Sequence, residues 1–248
     1  MIEITRRAFA LGLPVALTGC MTSSPSPIVT HGPAVPTPAV TTKELPPPPL
    51  PPEAKLDYAS DPSDAHVYGE VTTEPFPVPA IDLKRINPAF LRRTVNYASS
   101  EAPGTVIVDP SKRYLYYILG GGRAVRYGVG VGREGFGWNG EAFIKYKQEW
   151  PDWYPPPEMI ARQPELRSHL ATLQSGIGMH GGPGNPLGAR AQYLWQGDKD
   201  TYYRIHGTVE PWTIGSRVSS GCIRMINQDA IDFYGRTALN AKVIVLPG

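Results

Sequence analysis

One cysteine and one histidine in the C-terminal third of the chain could act together as a nucleophile and its base. Cys222 is followed two positions later by the cation Arg224, and His206 precedes it by 222 − 206 = 16 positions. The thiolate is the reactive form of cysteine, and nearby positive charge lowers the pKa of the thiol. A single cysteine with a histidine elsewhere in the chain is typical of a cysteine nucleophile, and the alternative is a buried small hydrophobe beside a core histidine.

The glycine before this cysteine favours the same chemistry. Gly221 lies in the segment 219–225, Ser-Ser-Gly-Cys-Ile-Arg-Met. A glycine lets the backbone bend so that amide N–H groups point at a bound carbonyl oxygen. The segment therefore predicts an oxyanion site of backbone N–H groups beside the thiol.

The order of these residues is more specific than their types. His-Gly at 206–207 followed by Ser-Ser-Gly-Cys-Ile-Arg at 219–224 resembles the signature of the YkuD-domain, ErfK/YbiS-like L,D-transpeptidases, which remodel bacterial peptidoglycan. Many members carry histidine where this chain has Ser220, but the family's base matches His206. A second resemblance is the run Asn-Pro-Leu-Gly-Ala-Arg-Ala at 185–191, and the likeness extends over residues 104–247.

The resemblance implies a thioester mechanism that needs no cofactor and no metal ion. Cys222 would attack the amide between meso-diaminopimelate and D-Ala in a tetrapeptide stem, release D-Ala and form an acyl-enzyme. The amine of a second stem would resolve it into a 3-3 cross-link, with His206 as base and the Gly207 carbonyl orienting the imidazole. The N–H groups of Gly221 and Cys222 would hold the oxyanion, and Arg224 would bind a stem carboxylate or form a structural salt bridge.

Five further residues are predicted to contact substrate: Ser219, Ser220, Asn185, His180 and Trp153. The glycine-rich loop around Asn185 should shape the floor of the cleft. Trp153 lies in the aromatic and proline-rich segment 150–157, which forms either a cleft wall or lid, or a loop packed on the sheet edge.

Two alternatives concern the second histidine. His180 ranks below His206 as the base, because no strand pattern flanks it to hold it rigidly. A zinc site formed by Cys222, His206 and His180 is disfavoured, because these residues include no closely spaced pair of ligands.

The acceptor of the acyl group stays open at the level of sequence. The same acyl-enzyme could be passed to an outer-membrane protein, which would anchor that protein, or to water. A third alternative is a lipoprotein that binds peptidoglycan with an inactive site.

Residues 1–20 are predicted to be an export signal with a lipidation site. Thr-Arg-Arg-Ala-Phe at 5–9 resembles a twin-arginine signal, and the apolar run 8–17 is too short to span a bilayer. Leu-Thr-Gly-Cys at 17–20 resembles a lipobox with Cys20 as the lipidated residue, the alternative being a Sec signal with an incidental cysteine. Since Met21 and not Asp follows Cys20, the sorting pattern indicates the periplasm of a Gram-negative bacterium, with the anchor in the outer membrane.

Composition divides the rest of the chain. Residues 21–56 are rich in Ser, Thr and Pro and should form an extended linker. Residues 57–103 form a lead-in with one predicted helix, which Asn87 caps and which runs as far as Ala98. The net charge of only +2 excludes a strongly basic surface for nucleic acid. The predicted partners are therefore peptidoglycan stem peptides, a membrane bound through the lipid anchor, and outer-membrane proteins as possible acceptors.

Residues 104–247 are predicted to be mainly β, as a mixed β-sandwich or open barrel with a few short helices. Runs of β-branched and aromatic residues between turn residues indicate strands at 105–109, 113–119, 124–130, 140–145, 192–194, 201–205 and 242–246. The strand 201–205 would deliver His206 at its end. A helix capped by Asn227 should follow the cysteine segment, with apolar side chains at helical spacing.

Overall fold

The computed structural model describes residues 63–132, 138–219 and 221–248, with no side-chain description for 218 and 219. The predicted export signal 1–20, its lipidation site Cys20, the linker 21–56 and Ser220 lie outside the described residues. Among those described, no helix is both long and apolar enough to cross a membrane.

The described chain is mainly β with a few short helices, which confirms the predicted fold class. The strands are β1 Arg93–Asn96, β2 Val106–Asp109, β3 Tyr114–Gly120, β4 Arg123–Gly128, β5 Val131–Gly132, β6 Gly140–Glu149, β7 Ala171–Leu173, β8 Gly176–Gly178, β9 Arg190–Gln196, β10 Lys199–His206, β11 Arg217–Ser219, β12 Ile223–Arg224 and β13 Lys242–Val245. The helices are α1 Asp64–Val67, α2 Pro157–Arg162 and α3 Asn227–Arg236, and 3-10 turns cover Leu83–Arg85, Pro88–Phe90, Pro164–His169 and Pro211–Thr213.

Nine of these strands form one open, mixed sheet in the order β1-β4-β3-β2-β13-β6-β9-β10-β12. The pairs β2–β13 and β10–β12 are parallel, and the other neighbours are antiparallel. β1 and β12 are the two edges, so the sheet is not closed into a barrel. Two small pairs, β5–β11 and β7–β8, lie outside it.

One hydrophobic cluster lies on one face of the central strands, and a second, which includes Ile107 and Tyr116, lies on the other. Val106 and Val108 of β2, Val243 of β13 and Leu194 of β9 are buried in the first cluster, and Phe233 of α3 covers them. Burying one such side chain contributes roughly 1.5–3 kcal/mol relative to leaving it in water.

The helix predicted in the lead-in is wrong beyond its first turn. The side chain of Asn87 accepts a hydrogen bond from the N–H of Ala89 at 3.0 Å, as a cap should. The helical turn ends at Phe90, however, and the chain then continues as β1. β1 pairs with β4 along the full register from Arg93 to Asn96, and this pairing satisfies backbone groups that a helix would otherwise have paired.

The lead-in packs on the sheet domain through buried polar contacts. The hydroxyl of Tyr68 lies 3.1 Å from each carboxylate oxygen of Asp229 and accepts a hydrogen bond from the N–H of Arg92 at 2.7 Å. Glu74 binds the guanidinium of Arg190 with two hydrogen bonds of 2.6 and 2.8 Å. Burial raises the pKa of Asp229 to about 7.

Candidate active site

Two parallel strands bring the predicted nucleophile and base to one face of the sheet. β10 ends at His206 and β12 begins at Ile223, and their register pairs Ile205 with Ile223 and His206 with Arg224. Both isoleucines are buried in the core, at 1% and 0% exposure. Because side chains alternate along a strand, His206 and Arg224 point to the opposite face. Cys222 immediately precedes Ile223, the first residue of β12.

The imidazole of His206 is held by a backbone carbonyl. Its Nδ1 lies 2.6 Å from the carbonyl oxygen of Gly207, and the residue is only 5% exposed. A carbonyl oxygen can only accept a hydrogen bond, so Nδ1 carries the hydrogen and Nε2 keeps its lone pair. Burial lowers the pKa of His206 to about 4, although the carbonyls of Gly207 and Leu187 raise it. The ring is therefore neutral near neutral pH and can accept a proton at Nε2.

Close backbone packing positions that carbonyl. A Cβ added to Gly207 would lie 2.1 Å from Oδ1 of Asn227, and one added to Gly188 would lie 2.2 Å from the same atom. That oxygen accepts a hydrogen bond from the N–H of Ala189 at 3.0 Å. Asn227 was predicted to cap α3, but the N-cap residue is Ile226, whose side chain forms no hydrogen bond with the helix. The asparagine instead ties the segments around Gly188 and Gly207 together.

Residue Cys222 is partly exposed, and the pKa of its thiol is raised overall, whereas the sequence predicted a pKa lowered by nearby positive charge. Burial of the thiol is the dominant cause of the increase. A backbone hydrogen bond from Arg204 and the charges of Arg204 and Arg224 act in the opposite direction without outweighing it. The resting site therefore combines a neutral thiol with a neutral imidazole.

Arg204 is a site residue that the sequence interpretation missed. It precedes His206 by two positions on β10 and so lies on the same face. Its guanidinium binds Asp200 with hydrogen bonds of 2.7 and 2.8 Å and lies over the ring of Tyr193, 4.5 Å from the centroid. The period-2 alternation of the predicted strand 201–205 was the signal that could have placed it beside the base.

Arg224 already has an anionic partner. Its Nη1 lies 3.2 Å from Oε2 of Glu210, and the two side chains are 19% and 47% exposed. A partly exposed pair of this kind contributes about 0–1 kcal/mol, so a substrate carboxylate could compete with Glu210. Both predicted roles, a structural salt bridge and a carboxylate ligand, are compatible with this geometry.

The backbone before the thiol has the conformation that favours glycine. Gly221 has a φ of +127°, which L side chains rarely adopt. A Cβ there would contact the ring of Tyr203, which stacks on Trp138 with ring centroids 5.4 Å apart. The two rings thus support the turn that leads into Cys222. The oxyanion role of this turn stays a prediction.

Asn185 does not fit its predicted contact with substrate. The residue is 1% exposed, and its Nδ2 donates to the carbonyls of Pro151, Met179 and His180 at 3.0–3.2 Å. Its Oδ1 accepts from the N–H of Leu187 at 2.9 Å. Because these backbone contacts occupy the amide, Asn185 holds the conformation of the loop and is not available to a substrate.

The other residues predicted to contact substrate include His180 and Trp153. His180 is 76% exposed and lies 3.5 Å from Asp152. Trp153 exchanges two backbone hydrogen bonds with Met179, at 2.8 and 2.9 Å, so the aromatic segment packs against the loop 178–188. Substrate contacts by His180, Trp153 and Ser219 stay predictions. Within the described ranges, no three His, Cys, Asp or Glu residues are grouped to hold a metal ion.

Comparison with known proteins identifies a family. The YkuD family model, described as the L,D-transpeptidase catalytic domain, matches residues 103–245. The chain is 30% identical over 144 residues to the probable L,D-transpeptidase YbiS of Escherichia coli K12, covering 56% of this chain and 43% of that relative. It is 28% identical over 144 residues to the probable L,D-transpeptidase ErfK/SrfK of the same strain, covering 57% and 43%. The chain thus spans less than half the length of these curated relatives.

A solved structure from Brucella melitensis, named as a probable carnitine operon oxidoreductase caia, is 49% identical to this chain. The match covers 66% of this chain and 99% of that one, with a TM-score of 0.44.

Proposed function

Because the chain belongs to the YkuD family of L,D-transpeptidase catalytic domains, we propose that it is a cysteine L,D-transpeptidase acting on tetrapeptide stems of peptidoglycan. One observation carries the proposal: His206, oriented by the Gly207 carbonyl at 2.6 Å, ends one of two paired parallel strands, and Cys222 immediately precedes the other. A nucleophile beside a base that a third group orients is the arrangement needed for acyl transfer.

Acylation begins from the neutral pair. Nε2 of His206 takes the proton of the Cys222 thiol as Sγ attacks the carbonyl carbon of the amide between meso-diaminopimelate and D-Ala. The N–H groups of Gly221 and Cys222 receive the oxyanion, a contribution often worth about 3 kcal/mol per donor. When the C–N bond breaks, the imidazolium returns its proton to the leaving amine, and D-Ala departs from a thioester.

Deacylation repeats these steps with a new amine. Nε2 of His206 accepts a proton from the amine of a second stem as that nitrogen attacks the thioester carbon. The C–S bond breaks, the imidazolium reprotonates Sγ of Cys222, and a 3-3 cross-link leaves. The low pKa of His206 favours the return of the proton at each stage.

The two arginines on this face supply positive charge for an acidic stem peptide. Arg224 is held by an exposed carboxylate that a substrate carboxylate can replace. Arg204 is bound more firmly, with two hydrogen bonds to Asp200 and an aromatic face beneath it. We therefore assign carboxylate binding to Arg224 and support of the thiol to Arg204.

The proposal includes the placement of the enzyme in the cell. Residues 1–20 direct export and carry the lipidation site Cys20, and residues 21–56 are the tether. The lead-in 57–103 and the catalytic domain 104–247 then face peptidoglycan in the periplasm of a Gram-negative bacterium.

Incubation of the purified protein with a disaccharide-tetrapeptide tests this function. Free D-Ala and stem dimers, both absent with Cys222→Ser, are the expected products. Acylation without dimers would mean that water or an outer-membrane protein is the acceptor. A folded protein that releases no D-Ala would overturn the enzymatic proposal in favour of a peptidoglycan-binding lipoprotein.

A further inference from the structure

A cavity of about 290 Å³ lies between the lead-in and the loop that follows His206 and Gly207. Residues between 78 and 86 form one wall, and residues between 208 and 212 form the other. The first wall lies outside residues 103–245, which match the family model. The cavity is therefore built in part from a segment that the family's catalytic domain does not supply.

One cation, Arg85, lines this cavity and lies over an aromatic ring. The guanidinium of Arg85 lies over the ring of Trp212, 4.4 Å from the centroid, and Trp212 is 46% exposed. Within the described residues the side chain of Arg85 forms no hydrogen bond or ion pair besides this contact with the ring. The single carboxylate among the lining residues, Asp82, accepts from the N–H of Lys84 at 3.1 Å. A guanidinium stacked on an aromatic ring keeps its N–H edge available for a carboxylate.

Gln228 lines the cavity and carries a buried acceptor atom. Gln228 is 4% exposed, and its Nε2 donates to the carbonyls of Gly69 at 3.0 Å and Pro79 at 2.9 Å. Its Oε1 is buried and has no hydrogen-bond partner in the part of the chain that the structure describes. A buried acceptor without a partner is costly, and an N–H group or a water molecule that reached it would remove that cost.

The walls between these polar groups are apolar. Val78, Ile81, Val209 and Pro211 line the cavity together with the ring of Trp212. The ligand that matches all three features has a carboxylate, an amide N–H and a small apolar side chain. A peptide that ends in alanine has this chemistry, and its carboxylate complements the charge of Arg85.

The cavity adjoins the segment that follows the base. Thr208 and Asn227 both line it, and Asn227 is the residue whose Oδ1 packs against Gly207. The Gly207 carbonyl in turn holds His206. The acceptor amine must reach the base during deacylation, so a peptide seated here approaches from the base side. We propose that this cavity binds the carboxylate end of the acceptor stem peptide, an inference that rests on the proposed transpeptidase function.

The test separates the two half-reactions. Arg85→Gln and Trp212→Leu are compared with Arg123→Gln, which removes an exposed cation of β4 that does not line the cavity. With limiting disaccharide-tetrapeptide, Arg85→Gln should lower the rate of dimer formation about tenfold, the value of one charge-assisted hydrogen bond. Its rate of D-Ala release in the first turnover, and both rates of Arg123→Gln, should stay within about twofold of wild type.

Three results would overturn the inference. Unchanged dimer formation in Arg85→Gln would mean that the cavity does not bind the acceptor. Equal losses in acylation and dimer formation would place the donor stem there instead. If the wild-type protein is never acylated, the proposed function fails, and calorimetric titration of the Cys222→Ala protein with tetrapeptide still tests the cavity. Binding that Arg85→Gln leaves unchanged in that titration would refute it.

Discussion

The resting dyad should be neutral, and the pH dependence of thiol alkylation tests this directly. The pKa of His206 lies near 4, compared with an ordinary value of 6.5. A difference of about 2.5 pKa units corresponds to about 3 kcal/mol against protonating the buried ring. Burial also raises the pKa of Cys222, so both members of a thiolate–imidazolium pair are disfavoured. Because only the thiolate reacts, the alkylation rate should rise about tenfold per pH unit below the thiol pKa.

The assay is the time course of iodoacetamide addition to the folded protein, followed by intact mass between about pH 5.5 and 8.5. His206→Asn is the matched variant, because it retains a polar side chain but cannot hold a proton. The alkylation rate of His206→Asn should increase with pH as steeply as that of the wild type, since His206 carries no charge in the resting enzyme. A wild-type rate that is fast and constant over this range, and that becomes pH-dependent in His206→Asn, would show a preformed ion pair and refute the reasoning.

Two substitutions test the packing that supports the site. Gly207→Ala would place a Cβ 2.1 Å from Oδ1 of Asn227, so it should lower the free energy of unfolding by about 1–3 kcal/mol and slow acylation. Gly235 of α3 is the control, because it has open space around it, and Gly235→Ala should stabilise the protein by up to about 1 kcal/mol. Equal changes in the free energy of unfolding, measured in urea, would contradict the account. Asp229→Asn tests the buried carboxylate, whose folded pKa of about 7 exceeds the ordinary value of 3.8. Between about pH 4 and 7, the folded protein keeps a proton on Asp229 that the unfolded chain loses. The contribution of this carboxyl group to the free energy of unfolding is therefore complete below that range and declines by about 4 kcal/mol as the pH rises through it. The difference in unfolding free energy between wild type and Asp229→Asn should therefore change across that range, and a constant difference would show that the carboxylate is ionised throughout.

Most strands of the sheet, but not β1 and β12, were predictable because local propensity and burial favour the same structure in them. The run at 105–109 is β-branched and bounded by turn residues, and β2 occupies Val106–Asp109. The strand predicted at 201–205 became β10, which ends at His206 and presents it beside β12. Local propensity and burial agree in these segments, so the sequence pattern was sufficient.

The lead-in could not be predicted in the same way. Asn87 and Pro88 carry a correct helix start, but the following residues pair with the free edge of β4. The strand that pairs with these residues, β4, is distant in sequence, and no local pattern predicts this pairing. The same limit applies to Arg190, whose buried partner Glu74 lies 116 positions away.

At the site, the sequence predicted which residue types are present, but not whether burial or charge has the larger effect on their pKa values. The cation two positions after Cys222 is present, yet burial outweighs its effect on the thiol pKa. Burial depends on the whole fold, whereas the sequence displays only the charges. Asn185 illustrates the same limit, because its three backbone acceptors come from segments that the loop brings together only in the folded chain.

The most direct test of the central claim is to locate the acyl group. The protein is mixed with disaccharide-tetrapeptide, quenched in acid within one turnover and digested with trypsin, which releases the peptide 218–224 containing Cys222 as its only cysteine. The account predicts that this peptide gains the mass of the substrate minus D-Ala, with fragment ions that place the addition on Cys222, and that His206→Asn reduces its formation. Product formation without this adduct, or an adduct on a neighbouring serine, would contradict the assignment of Cys222 as the nucleophile.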